Sequence, residues 1–301
     1  MRVGIFFPTK EHVALDSMIE RVRHVHESGL DSVWLPQSTG VDALTAIAVI
    51  AREVPTIELG TSVVPIYPRH PVMLAAQTLT VTVVAGSRLT LGIGLSHKMA
   101  VEGAYGLAYD RPARYMREYL SILLPLLRDQ HVDVEGQLLT GRAQLRILGA
   151  SQPTVLLAAL QPRMLELAGG LADGTVTWCT GPRTLEEQII PLLRRSASEA
   201  GRRAPRVVVP LPTIVTDDEA DGRAKAEEQL AGYGQIPVYR AVLDREGVKG
   251  PGDVSIVGNE AAVRTQLERL KEIGATDFVA ILCGTEEDRR RTEEYLATLV
   301  N

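Results

Sequence analysis

The sequence is short of cysteine. Cys179 and Cys283 are the only two in 301 residues, which excludes a disulfide framework and fits a reducing compartment with both thiols free. It has no basic excess either. Lys and Arg number 32 against 37 Asp and Glu, for a formal net charge of −5, and the cations are scattered, so there is no electrostatic footprint for nucleic acid. No stretch of about 18 apolar residues is present to span a membrane, and the apolar run in MRVGIFFPTK is too short for a secretory signal. A cytoplasmic protein without membrane or nucleic-acid partners is the expectation. One further absence concerns a motif. In RLTLGIGLSHK (88–98), Gly92 and Gly94 are spaced as in G-x-G-x-x-G, but the third glycine position holds His97 and a polar loop follows instead of a helix. The dinucleotide reading fails on both counts.

What is present is an alternation of short apolar runs with longer helical patterns. Strands are predicted at 2–7, 32–36, 57–63, 89–95, 154–160, 174–178, 206–213 and 277–282, each nearly continuous in apolar residues, as strands covered on both faces should be. Between them, 110–127 places Met116, Leu120, Leu123 and Leu127 on one helix face and Arg114, Arg117 and Glu118 on the other, with Asp110 as cap and Pro112 in the first turn. Thr184 with Glu187 and Thr285 with Asp288 read as capping boxes, and Asn259 as a cap before Val263, Leu267 and Leu270. SGLDSVWL, LADGTVTW and IGATDFVAI each read as helix end, turn and strand start. In these, Asp31, Asp173 and Asp277 are expected to bond backbone groups of the turn, and Gly29 and Gly274 suit left-handed C-caps. Eight such units give an α/β fold of the (β/α)8 TIM-barrel class, one domain over 1–301, with insertions at about 129–150 and 232–258 that could shape the site mouth or a subunit contact. An open doubly wound sheet is the alternative.

In such a barrel the chemistry sits at the C-terminal ends of the strands. The residues there are Pro8 and Thr9; Gln37 and Ser38; Ser62, Val63, Val64 and Pro65; Gly94, Leu95, Ser96 and His97; Ala159, Leu160 and Gln161; Trp178, Cys179, Thr180 and Gly181; and Cys283 and Gly284. They include no carboxylate pair for glycoside chemistry, no metal-ligand cluster and no nucleophile elbow. A mouth this poor in charge suits a large planar cofactor that brings its own reactivity. The helix opening at Pro162 presents N–H groups that can hold a phosphate, and Gly181 permits a close backbone approach. Several residues in or near these positions also have a plain structural reading. Gly92 reads as relief of crowding, Gly94 equally as that or as room for a cofactor, Trp178 as core, Cys179 as inert and His70 as a local cap. The loop 96–110, with Glu102, Tyr105 and Tyr109 between glycines, reads as a lid.

The segments GLDSVWLPQ (29–37), ELGTSVVPIYPRHP (58–71), RLTLGIGLSHK (88–98), YDRPARYMREYL (109–120), LAGGLADGTVTWCTGP (167–182) and VGNEAAVRTQLERLKEIGATDF (257–278) together resemble the luciferase-like monooxygenase superfamily, and within it the oxidoreductases dependent on the deazaflavin coenzyme F420. The resemblance implies a non-proline cis peptide at Ser62–Val63 against the cofactor ring. It also implies that Gly94, Leu95, Ser96 and His97 approach the cofactor's side chain, and that Ala159, Leu160, Gln161, Trp178, Thr180 and Gly181 complete the cofactor site with its phosphate region, without a metal. Many relatives have glycine where this chain has Gln161. Alcohol-oxidising and sugar-phosphate-oxidising members carry an Asp-His pair after strand 2 and a Glu after strand 4. Here those places hold Gln37-Ser38 and His97. The implied activity is therefore hydride transfer from reduced F420 to a C=C or C=N bond of a small-molecule substrate, with His97 as the catalytic proton donor. A homodimer is implied by the same resemblance. An FMN-dependent monooxygenase and a non-catalytic binding subunit are the alternatives.

Overall fold

A computed structural model describes residues 1–7 and 13–300; Pro8 and Thr9 lie outside the described residues. The strands are β1 (Arg2–Phe6), β2 (Ser32–Leu35), β3 (Glu58–Thr61), β4 (Val64–Pro65), β5 (Leu89–Gly94), β6 (His131–Glu135), β7 (Thr140–Gln144), β8 (Thr154–Ala158), β9 (Gly174–Val176), β10 (Arg206–Val215), β11 (Ile256–Gly258) and β12 (Asp277–Leu282). The fold is a (β/α)8 barrel with insertions. Its eight barrel strands are β1, β2, β3, β5, β8, β9, β10 and β12, matching the eight apolar runs to within two residues at their ends.

The chain divides into two compact units. The first holds 1–8, 23–34 and 159–301. Within it β9, β10, β12, β1 and β2 form a parallel run, registered for example by Val208↔Val176, Val208↔Asp277, Gly4↔Val279 and Gly4↔Ser32. At the start of these strands Asp277 is fully buried. It accepts from Arg206 Nε (2.9 Å) and Nη2 (2.6 Å) and pairs with Arg2 (2.8 Å), while Arg206 lies over the Trp34 ring at 5.5 Å. The second expected insertion is a helical segment, with Pro237–Glu246 at its centre, followed by β11 on the edge of β10. Gly29 and Gly274 take the expected positive φ (89° and 116°), and Asn259 and Thr285 cap their helices as read, the latter in a full capping box.

The second unit holds 9–22 and 35–158. Here β3, β5 and β8 run parallel and the short β4 pairs with the end of β5 (Val64↔Ile93, Pro65↔Gly94). The first expected insertion is the β6–β7 hairpin. His70 caps the helix Pro71–Ala85 through Nδ1, and its Nε2 meets the Thr140 carbonyl at 3.1 Å. The helix Pro112–Asp129 buries Met116, Leu120, Leu123 and Leu127 as its periodicity requires.

Several local expectations give way to distant partners. Glu118 is not a solvent-facing residue. It folds under the hairpin and accepts from the Leu138 and Leu139 N–H groups at 2.7 and 3.0 Å. Burial pushes its carboxyl up, but those N–H groups and Arg114 outweigh it and hold the pKa below the ordinary carboxylate value. Asp110 does not cap its helix, because Arg111 stands at the cap with φ 45°. Asp31 does bond a backbone group, the Val3 N–H at 2.7 Å, whereas Asp173 and Asp277 pair with arginines. The Thr184–Glu187 box is absent: Thr184 turns to Glu246, and Glu187 pairs with Arg183.

Candidate active site

The second unit brings together the ends of β3 and β5. Thr61, fully buried, donates its hydroxyl to the Gly92 carbonyl and accepts the Gly92 N–H, each at 2.8 Å. This double bond pulls the strand ends so close that a Cβ on Gly92 would stand 2.0 Å from the Thr61 carbonyl oxygen. The peptide Ser62–Val63 is cis, as the resemblance implied. Val63 then packs over both glycines: its Cγ1 lies 3.1 Å from where a Gly92 Cβ would be, and its Cγ2 2.7 Å from a Gly94 Cβ. Gly94 is thus explained by its own neighbours.

Beyond β5, Leu95 is half-buried and Ser96 adopts φ 61°, an uncommon left-handed conformation for a non-glycine residue. His97 follows, half-buried, and its carbonyl starts a short helix at Lys98–Gly103 inside the expected lid loop. Burial lowers the His97 pKa below the ordinary imidazole value, which favours the neutral ring. On the same unit Tyr67 stacks on Tyr115 (centroids 4.3 Å apart) and on Tyr109 (5.2 Å), and its buried hydroxyl has no partner among the described residues. Sequence reasoning missed Tyr67. It sits in YPRHP, where only the histidine drew notice.

In the first unit, Ala159 and Leu160 are buried, and the Thr175 hydroxyl donates to the Ala159 carbonyl at 3.3 Å, so the segments ending in Gln161 and Trp178 run side by side. Gln161 is the N-cap of the helix Pro162–Gly170, with no side-chain hydrogen bond capping it. Trp178 is half-buried between Phe6 (5.0 Å) and Tyr233 (5.3 Å), and its indole N–H has no partner among the described residues. Cys179 takes φ 47° and is fully buried; burial, with Glu227 and Cys283 nearby, pushes its thiol up to about 12. The Thr180 hydroxyl donates to the Trp178 carbonyl at 2.9 Å. Gly181 opens the next helical stretch, and there the Glu246 carboxylate already holds the N–H groups of Arg183 and Thr184. Glu246 was not found from sequence. It comes from 62 residues away and no short-range pattern marks it.

Gln37 is committed to its loop: its Oε1 accepts the Ala43 N–H at 2.8 Å and its Nε2 donates to the Ser38 carbonyl at 3.0 Å. Among the described residues no group of three or more His, Cys, Asp or Glu is arranged to hold a metal, and no helix is long and apolar enough to cross a membrane.

Comparison with known proteins agrees with this fold. The family model described as luciferase-like monooxygenase matches residues 1–298. A 5,10-methylenetetrahydromethanopterin reductase of Methanolobus tindarius is 25% identical over 303 residues, covering 98% of this chain and 91% of the relative. A Mycobacterium tuberculosis protein named as a coenzyme F420-dependent oxidoreductase is 28% identical over 318 residues, covering 90% and 92%. The solved structure of the coenzyme F420-dependent tetrahydromethanopterin reductase from Methanopyrus kandleri superposes with a TM-score of 0.82 at 21% identity, covering 98% of this chain and 97% of that one.

Proposed function

The chain belongs to the luciferase-like monooxygenase family, and from that premise we propose that it is a coenzyme F420-dependent oxidoreductase that reduces a C=C or C=N bond of a small organic substrate. When bound, reduced F420 supplies a hydride from its deazaflavin ring. The residues present fit such a group. The helix end at Gln161 lacks a side-chain cap and offers N–H donors to an anionic tail. The buried, partnerless Trp178 indole N–H is a donor in want of an acceptor. We assign Ser62, Val63, Leu95, Ser96, Leu160, Gln161, Trp178 and Thr180 to the cofactor.

The observation that carries the reductase reading is the state of Gln37 and His97. Oxidising an alcohol requires a base for its hydroxyl proton. The Gln37 carboxamide is no base, and both ends of it are spent on the loop. His97, with its pKa lowered by burial, is a weaker base and, once protonated, a stronger acid than ordinary histidine. As a donor it must first be protonated, so its lowered pKa confines that role to pH below the ordinary imidazole range.

The test is a titration of the purified protein with F420 and, separately, with FMN, followed by turnover of reduced F420 against unsaturated acceptors with oxygen consumption recorded. Tight F420 binding, oxygen-independent reduction, and a His97→Ala variant that binds F420 but turns over slowly are expected. Preferential FMN binding with oxygen uptake would replace this reading by that of a monooxygenase.

A further inference from the structure

We propose that Glu246 is a built-in anion that closes the turn 181–184 to a phosphomonoester, and so determines which flavin-like cofactor this chain accepts. The inference rests on the cofactor reading above. Gly181 is extended (φ −78°, ψ 171°), Pro182 takes the first helical position, and helical backbone continues through Glu199. Such a start leaves N–H donors aimed outward at an anion. They are taken. Oε1 of Glu246 accepts the Arg183 N–H at 2.9 Å, and Oε2 accepts the Thr184 N–H at 2.8 Å and the Thr184 hydroxyl at 2.7 Å. Three donors on both oxygens of one carboxylate is the donor set a phosphate would use.

The chain is also shaped to admit this carboxylate. A Cβ on Gly181 would lie 2.4 Å from Glu246 Cδ and 2.5 Å from Oε1. The backbone there does not need glycine, since its φ is ordinary. What needs glycine is the approach of Glu246, the last residue of the helix Pro237–Glu246 in the second insertion. The neighbouring helix end at Gln161 has no side-chain cap. This unit thus offers one open anion-binding end and one filled end.

The charges then decide between ligands. Coenzyme F420 carries its phosphate as a diester, with one charge and two terminal oxygens. FMN carries a monoester with nearly two charges and three terminal oxygens. One open helix end can serve the diester. The monoester would want the second donor set and would meet a carboxylate there instead, where like charges repel.

Fluorescence titrations of riboflavin, FMN and F420 against the wild-type protein and Glu246→Gln test this. In the wild type the FMN phosphate finds only the open end at Gln161, so FMN should bind less than about ten-fold more tightly than riboflavin. In Glu246→Gln, FMN affinity should rise about ten-fold while riboflavin changes little. The proposal is overturned if wild-type FMN affinity already exceeds that of riboflavin about ten-fold, if the variant leaves FMN unchanged, or if riboflavin rises equally. The wild-type comparison stands even if the variant fails to fold. A second arm needs no cofactor: inorganic phosphate, against chloride at equal ionic strength, should raise the melting temperature of Glu246→Ala more than that of the wild type, which has only the open end at Gln161, and an equal response of both would overturn the proposal. If none of the three ligands binds the wild type, the cofactor reading fails and the phosphate arm decides on Glu246 alone.

Discussion

Replacing Gly94 with alanine decides whether the glycine pair of β5 serves packing or a ligand. The added methyl would sit 2.7 Å from Val63 Cγ2 and 3.1 Å from Ala158 Cβ, where carbon contacts are comfortable at about 3.5–4.0 Å. Val63 relieves the overlap only by leaving its rotamer, and a β-branched side chain is stiff at χ1. Overpacking of this kind costs about 1–3 kcal/mol. Loss of glycine's unfolded-state entropy gives back about 0.4–1 kcal/mol, so a net destabilisation of roughly 1–2 kcal/mol is expected. Val63→Ala removes the offending methyl. The double variant should therefore be more stable than the sum of the singles by about 1 kcal/mol or more. Urea unfolding of the four proteins, with F420 titrations alongside, measures both quantities. If Gly94→Ala is as stable as the wild type but binds F420 more weakly, the glycine serves the ligand and the packing argument is wrong.

Asp277→Asn should destabilise the protein by about 3–5 kcal/mol in urea, since it strands the Arg206 guanidinium, whose side chain is only 13% exposed; a loss within about 0.5 kcal/mol, as for an ordinary surface position, would contradict it. His97 has a folded pKa below its unfolded value of about 6.5. Between the two the unfolded chain binds more protons, so His97's contribution to stability is full above about pH 6.5 and is lost as pH falls through the folded pKa. Melting curves of His97→Gln should accordingly decline less than wild type over that acid range, and parallel curves would remove the effect. With His97 as the acid, reductase turnover should rise as pH falls toward its folded pKa, and His97→Gln should flatten that rise. Both cysteines are buried, with thiols pushed up to about 12, so a thiol reagent at pH 8 should label neither in the native protein and both in denaturant; fast native labelling would show that the strand ends open.

The barrel strands were readable because each is covered on both faces, so that β5, for instance, is buried at all six positions and announces itself as an unbroken apolar run. Caps were readable where nothing competes, as at Asn259 and Thr285. Local readings failed where a partner from far along the chain competes: Glu246 takes the Thr184 donors, Arg206 donates to Asp277, and the N–H groups of the β6–β7 turn draw Glu118 inward. A local pattern contributes about 1 kcal/mol, and a charge-assisted bond from elsewhere contributes as much or more. A close partner from elsewhere in the chain can leave one local trace, as at three glycines. Gly92, Gly94 and Gly181 all lack the positive φ that usually demands glycine. Each stands instead where another group presses within 3 Å of its missing Cβ: the Thr61 carbonyl, the Val63 methyl and the Glu246 carboxylate. In RLTLGIGLSHK the glycines therefore record what the neighbouring strand end needs. At Gly181 the same signature reveals a carboxylate that no motif around it could name.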